Sequence, residues 1–253
     1  GVLGDSHGAL LGQGCFAPGT AKATYGTGSS VMMQTGDACI ESTGGLVTSL
    51  AWGLSGRVNY VLEGNLNYTG AVISWLKKDV GLLRTDAESE QLARQAHPGD
   101  RTYFVPAFTG LGAPYWDSEA TGLLTGITRT TGKAEIVRAC LDSIAYQITD
   151  LLEGMGRDAA LPLAELRVDG GPTANRYLMQ RQSDLACLPL AVPAVQELSA
   201  LGAARAAAQG AGLCACKDFG RPAYTRYQPR MEEAERRALY GGWQDAVRRT
   251  LYH

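Results

Sequence analysis

The hydrophobic pattern of this chain changes period once, between residues 62 and 67, and that change limits the folds open to it. Before it, four short strand-like runs (21–25, 29–35, 46–52 and 58–62) are separated by turns containing Gly26, Gly28, Gly36, Gly44, Gly45 and Gly56. Spacings this short leave no room for crossover helices, so they predict antiparallel pairing. After it, apolar residues recur at helical spacing over 67–78, 86–95 and 133–155. In the last of these, Ile136, Ala139, Cys140, Ser143, Ile144, Ile148, Leu151 and Leu152 share one stripe. Strands over 102–108, 163–168 and 188–192 and helices over 175–185, 199–209 and 232–251 complete the reading. Antiparallel strands followed by a helix–strand alternation predict an α/β domain whose mixed sheet carries helices on both faces. Residues 1–5 read as a strand end, 9–13 as a short helix, and the polar stretch 84–100 as surface.

Composition narrows the function classes. With 253 residues, 45% hydrophobic and 19% charged, the chain is long enough for one large domain or two small ones with a sizeable core. A net charge of -2 gives no basic face for nucleic acid or an anionic membrane. No apolar run approaches the roughly 20 residues of a membrane span. Residues 1–14 have no cationic start, so no secretory leader is expected. The six cysteines and three histidines show neither a disulfide framework nor zinc-ligand spacing. They read as reduced core cysteines of a cytoplasmic protein. The 32 glycines, about 13% against a usual ~7%, cluster with Asp, Thr and Asn, as they do where backbone lies close to a ligand.

Three segments carry candidate chemistry. Asp169-Gly170-Gly171-Pro172-Thr173-Ala174-Asn175 follows a strand and opens a helix. Helix N-termini present free N–H groups and positive partial charge to phosphates, although an ordinary strand-to-helix turn uses the same glycines. Thr24-Tyr25-Gly26-Thr27-Gly28-Ser29-Ser30 links two strands and offers amides and hydroxyls to phosphate oxygens; a plain hairpin turn would read alike. Gly4-Asp5-Ser6-His7 places an acid where ligands of α/β sheets bind. There Asp5 can take a proton from a hydroxyl or help hold Mg²⁺.

Gly-Asp-Ser also opens the nucleophile block of a lipase and esterase family. That family needs a later histidine with Asp three residues before it; here Arg94 precedes His97 and Thr250 precedes His253, so Ser6 lacks its partner. Among weaker candidates, Glu63, Gly64 and Gly70 mark a strand-to-helix passage, with Gly70 close either to a nucleotide or to a packed helix. Asp117 reads as a turn former, Tyr115 and Trp116 as buried loop anchors, and Asp142 as a paired structural acid. Arg236, Arg237, Arg248 and Arg249 read as a solvated helix face, and Gly202, Ala203 and Ala206 as close-packing positions.

Together these segments resemble the C-terminal domain of the FGGY carbohydrate kinases, and the glycerol kinase branch most closely. The matching text includes Ala21-Lys-Ala-Thr-Tyr-Gly-Thr-Gly28, Phe104-Val-Pro-Ala-Phe-Thr-Gly-Leu-Gly-Ala-Pro-Tyr-Trp-Asp117, Leu141-Asp-Ser-Ile-Ala-Tyr-Gln147 and Leu166-Arg-Val-Asp-Gly-Gly171, in family order over nearly the whole chain. The resemblance implies an actin-like ATPase (ribonuclease H-like) fold over 1–253. It also implies phosphoryl transfer from ATP, with Mg²⁺, to a hydroxyl of a small polyol or sugar. By that resemblance Asp5 is the catalytic base and a metal-associated acid. Thr27 and Gly28 meet phosphates, and Gly70, Gly170, Gly171 and Asn175 surround the nucleotide. An N-terminal sugar-binding domain, absent here, is the expected partner, with a homodimer as a possible assembly. An actin-like nucleotide switch without catalysis is the alternative class.

Three positions depart from the glycerol kinase branch. Ser6 replaces a glutamine that holds the acceptor, Ser30 replaces a phenylalanine packed on its carbons, and Ser74 replaces a nucleotide-site glutamine. The acceptor expected is glycerol, or a pentulose or tetritol, which suits Ser6 and Ser30 better by size and polarity.

Overall fold

A computed structural model describes residues 2–54, 56–220 and 222–251; Gly1 and His253, which figure in the reading above, lie outside them. A seven-stranded mixed sheet organises the chain. Its strands are β1 (Thr20–Tyr25), β2 (Ser29–Gly36), β3 (Val47–Leu54), β4 (Arg57–Leu66), β7 (Glu165–Asp169), β8 (Leu190–Pro193) and β9 (Tyr224–Tyr227), in the order β3-β4-β2-β1-β7-β8-β9. The β1–β2, β2–β4 and β3–β4 pairs are antiparallel, as the short spacings require, and β7 joins β1 and β8 in parallel. A separate ribbon pairs β5 (Tyr103–Val105) with β6 (Leu123–Thr125). The helices are α1 (Asp5–Gly12), α2 (Gly70–Lys78), α3 (Glu88–Gln95), α4 (Lys133–Ala159), α5 (Arg176–Ala186), α6 (Leu198–Gly210) and α7 (Glu233–Leu251).

Strand alternation sorts side chains between two cores. Ala21, Ala23, Tyr25, Val31, Met33 and Leu62 pack with Ile144, Ile148 and Leu151 of α4 on one face. Met32 and Val61 pack with Leu10 and Leu11 of α1 and Ala206 of α6 on the other. Lys22 and Thr24, alternating with the alanines of β1, therefore face the α1–α6 layer.

That layer is built on glycine. A Cβ on Gly202 would lie 1.8 Å from the Gly8 carbonyl oxygen, and one on Gly12 would lie 2.0 Å from that of Leu198. The two backbones therefore touch. Ser199 Oγ donates to the Asp5 carbonyl (2.8 Å), and the buried Arg205 guanidinium donates to the carbonyls of Leu11 (2.7 Å) and Gly12 (2.9 Å). α6 thus grips both ends of α1, a cation closing its C-terminus. Ala206 is buried as expected, but Ala203 points to solvent.

Asp150, buried in α4, ties that helix to the loop containing Tyr115 and to α7. It accepts from Tyr115 Oη (2.9 Å), Tyr240 Oη (2.7 Å) and Trp243 Nε1 (2.8 Å). Burial pushes its carboxyl up to about 6, against the pull of those three donors. In the window from about pH 4 to about 6 the folded chain keeps a proton that the unfolded chain has released. Stability from this group is present below that window and lost as pH rises through about 6. Urea unfolding of the chain beside Asp150→Asn is expected to show wild type losing up to about 3 kcal/mol relative to the variant between pH 4 and 7.

Several local expectations are corrected. Asp5 opens α1 rather than ending a strand; an acid in the first turn is favoured by the helix dipole, and the Gly8 amide closes that turn on the Gly4 carbonyl (2.7 Å). Trp116 is 62% exposed, tied by its Nε1 to the Gly45 carbonyl (2.6 Å), while Tyr115 anchors the loop through Asp150. Glu63 sits inside β4, not at its end. Arg236 is half-buried, whereas Arg237, Arg248 and Arg249 are exposed. Cys15, Cys140 and Cys216 are buried, but Cys39 and Cys187 are exposed; all six cysteines are free. Asp142 is the paired acid expected, accepting from Arg181 (2.7 Å) and Tyr177 (2.8 Å). Asp117 Oδ1 caps its turn through the amides of Glu119 and Ala120.

Candidate active site

A cleft of about 1020 Å³ opens beside the β1–β2 hairpin. Its walls come from the hairpin (Gly26, Thr27), the first turns of α2 (Gly70, Ser74), one face of α3 (Ser89, Glu90) and the turn Gly171–Ala174 with Asn175. Thr27, Gly70, Ser74, Gly171 and Asn175, all named from sequence, therefore share one cavity. Gly28 and Gly170 stand one residue behind its lining.

The hairpin and α2 are joined backbone to backbone. The amides of Thr69 (2.9 Å) and Ala71 (3.0 Å) donate to the Thr27 carbonyl, and that of Gly70 donates to Gly26 (2.9 Å). A Cβ on Gly70 would lie 2.6 Å from the Gly26 carbonyl oxygen. Gly70 is thus a close-packing glycine and a cleft residue at once. Gly70→Val is expected to wedge the hairpin from α2 and to lower the stability of the chain by about 1–3 kcal/mol in urea unfolding. Gly170 has φ +99°, and a Cβ there would lie 1.9 Å from the Tyr25 carbonyl oxygen, so a side chain is barred by both conformation and space.

The expectation that the start of α5 offers free N–H groups is corrected. Gly171–Ala174 forms a 3-10 turn, and α5 begins only at Arg176. Asn175 caps it, accepting from the Leu178 amide (3.0 Å), and Glu90 accepts from the Arg176 amide (2.9 Å). Glu90 places a carboxylate where an anion would otherwise sit, and Asn175 Nδ2 donates to Ser89 Oγ (3.1 Å). The segment 84–100, expected as surface, therefore supplies a cleft wall. Within α3 the buried residues are Ser89 and Ala93.

Asp5 and Ser6 lie elsewhere, at the N-terminus of α1 on the other side of the sheet. The Asp5 carboxylate is exposed, and its Oδ1 accepts from the Ser6 amide (2.7 Å). His7 shares a hydrogen bond with Ser49 Oγ (3.3 Å), so the neighbouring imidazole is engaged away from Ser6. Ser30 is half-buried on β2, its Oγ accepting from Lys22 Nζ (3.2 Å). At the ends of the parallel strands, buried Asp169 accepts from Gln13 Nε2 (2.8 Å), and burial raises its carboxyl above the ordinary range. The hairpin thus divides a large cleft from a smaller polar group containing Asp5, Ser30, Lys22 and Asp169.

A mixed sheet layered by helices on both faces, with a cleft at the β1–β2 hairpin, defines an actin-like ATPase fold. The model of the FGGY family of carbohydrate kinases, C-terminal domain, matches residues 21–211, and the chain belongs to that family. It is 44% identical over 254 residues to the glycerol kinase of Geobacillus kaustophilus, covering 99% of this chain and 51% of that one. Identity is 47% over 254 residues to the glycerol kinase of Halorhodospira halophila, covering 99% and 50%. The crystal structure of Plasmodium falciparum glycerol kinase with ADP superposes with a TM-score of 0.93 at 33% identity, over 100% of this chain and 51% of that one. A xylulose kinase from Lactobacillus acidophilus shares the fold (TM-score 0.85, 22% identity, 97% of this chain and 50% of that one). The chain spans about half the length of the curated relatives it matches.

Proposed function

We propose that these residues are the nucleotide-binding, C-terminal half of an ATP-dependent kinase that phosphorylates a hydroxyl of a small polyol or sugar. The observation that carries this reading is the placement of an exposed carboxylate and a nucleotide-sized cleft on opposite sides of one hairpin. ATP lies in the cleft, with Thr27 and Gly28 toward its phosphates and Gly70, Gly170, Gly171 and Asn175 around the nucleotide. The relative solved with ADP supports this choice of ligand.

Asp5 accepts the proton of the acceptor hydroxyl as its oxygen bonds to the terminal phosphorus, and the bridging oxygen leaves with ADP. Such transfer needs positioning and charge neutralisation more than covalent chemistry. Asp5 also fits Mg²⁺, since its carboxylate is exposed and Mg²⁺ is commonly held by one or two carboxylates together with phosphates, whose charge it would shield. Ser6 and Ser30 leave room and hydroxyls for a pentulose or tetritol. The N-terminal half of the same kinase would supply most acceptor contacts.

A cytoplasmic location rests on the six free cysteines; among the described residues no helix is long and apolar enough to cross a membrane. A homodimer would have the β3 edge of the sheet available, where Val47 and Leu50 are exposed.

The 253-residue chain is expected to bind ADP weakly in calorimetry and to show no turnover. ATP-dependent phosphorylation by this chain alone would overturn the division of labour between halves. The full-length enzyme, given glycerol, erythritol, xylulose and ribulose while ADP release is followed, is expected to turn over at least one. Nucleotide binding without transfer to any acceptor would favour the switch class instead.

A further inference from the structure

Lys22 is fully buried, yet it carries a charge that the proposed reaction does not use. Its Nζ donates to Thr24 Oγ1 (3.1 Å) and Ser30 Oγ (3.2 Å). Among the described residues it belongs to no ion pair. Asp169, Cys15, Asp5 and Glu63, from four surrounding segments, act on it at longer range, while burial pushes the ammonium down to about 8. A buried cation held by hydroxyls instead of a carboxylate is costly, and methionine would fill the same volume without that penalty. The two groups that the charge meets directly are the hydroxyls of Thr24 and Ser30.

Ser30 is half-buried and, paired with Thr24 across the hairpin, lies on β2 one residue past the turn. Its oxygen accepts from an ammonium, so its own proton must point away from Lys22. The hydroxyl is thereby fixed as a donor, strengthened by the charge behind it.

We propose that Lys22 is a positioning residue that fixes the Ser30 hydroxyl as a hydrogen-bond donor to an oxygen of the acceptor, selecting four- and five-carbon polyhydroxy acceptors that carry an oxygen at that point. The proposal rests on the reading of Asp5 and Ser30 as the acceptor side. Thr24 holds the ammonium in place, and β1 delivers Lys22 and Thr24 to the same face because they are two residues apart.

The test is a double-mutant cycle in the full-length enzyme, reading KM and kcat for the best of erythritol, xylulose and ribulose, and the ADP dissociation constant. Lys22→Met and Ser30→Ala are each expected to raise the acceptor KM about tenfold, the loss of one charge-assisted hydrogen bond, with kcat changed less than about threefold and ADP affinity unchanged. The double variant is expected to be no worse than either single one, because Lys22 acts through Ser30. Multiplied effects, near a hundredfold, would overturn the proposal, as would an unchanged KM in Lys22→Met. Should Lys22→Met fail to fold, Lys22→Gln carries the cycle; failure of both to fold makes Lys22 a structural residue and sinks the idea. Unchanged acceptor KM in Ser30→Ala with ADP binding intact overturns the underlying acceptor-side reading as well, which separates the two failures.

Discussion

Asp5→Asn in the full-length enzyme is expected to lower kcat by roughly 10²- to 10⁴-fold, the usual contribution of a positioned general base. Asparagine has the same shape and keeps an oxygen for the Ser6 amide, so α1 should retain its first turn. With the nucleotide proposed to lie across the hairpin from Asp5, the ADP dissociation constant is expected to stay within about twofold. The loss should therefore appear in turnover and not in nucleotide binding, which is how removal of a group used in the transition state reads. Unchanged turnover would take Asp5 out of the chemistry and favour a nucleotide switch of the same fold.

Gly202→Ala should cost about 3 kcal/mol of stability, the upper range for forced overpacking. The added carbon would meet the Gly8 carbonyl oxygen at 1.8 Å, and both partners are backbone in regular helices, so α1 and α6 would have to separate. Because α6 also holds the Asp5 carbonyl through Ser199, the same change is expected to disturb the acid that α1 presents. Gly241→Ala is the control. It lies in α7 with nothing within 4 Å of an added Cβ, so alanine should stabilise the chain by about 0.5–1 kcal/mol through helix propensity. Urea unfolding of the two variants should give shifts of opposite sign; equal shifts would mean that the α1–α6 contact yields easily.

Much of the fold was legible because local signals and tertiary demands agreed. The hairpins of residues 20–66 announce themselves through glycine turns, and α4 through its long apolar stripe. Short elements were less visible. β9 is a four-residue strand with two exposed positions, and it exists because β8 leaves an edge to pair. Trp116 looked like a buried anchor by its size, yet a left-handed φ of 51° turns its ring outward.

The candidate site divides in the same way. Thr27, Gly70, Gly171 and Asn175 could be named in advance because their segments resemble the carbohydrate kinase family; glycine turns alone would read equally as ordinary hairpin or strand-to-helix turns. Ser89 and Glu90 could not, since nothing in a polar stretch says which helix end it will meet.

By itself the sequence determined the mixed α/β class, the glycine turns and the acid at Asp5, since periodicity and backbone permissiveness act over a few residues. Tertiary structure alone decided that Glu90 occupies the start of α5, that α6 holds α1 through Gly202, Ser199 and Arg205, and that Lys22 sits buried behind Ser30. Those relations join residues far apart in the chain, and they depend on how closely two backbones approach and on which polar atoms are left facing each other.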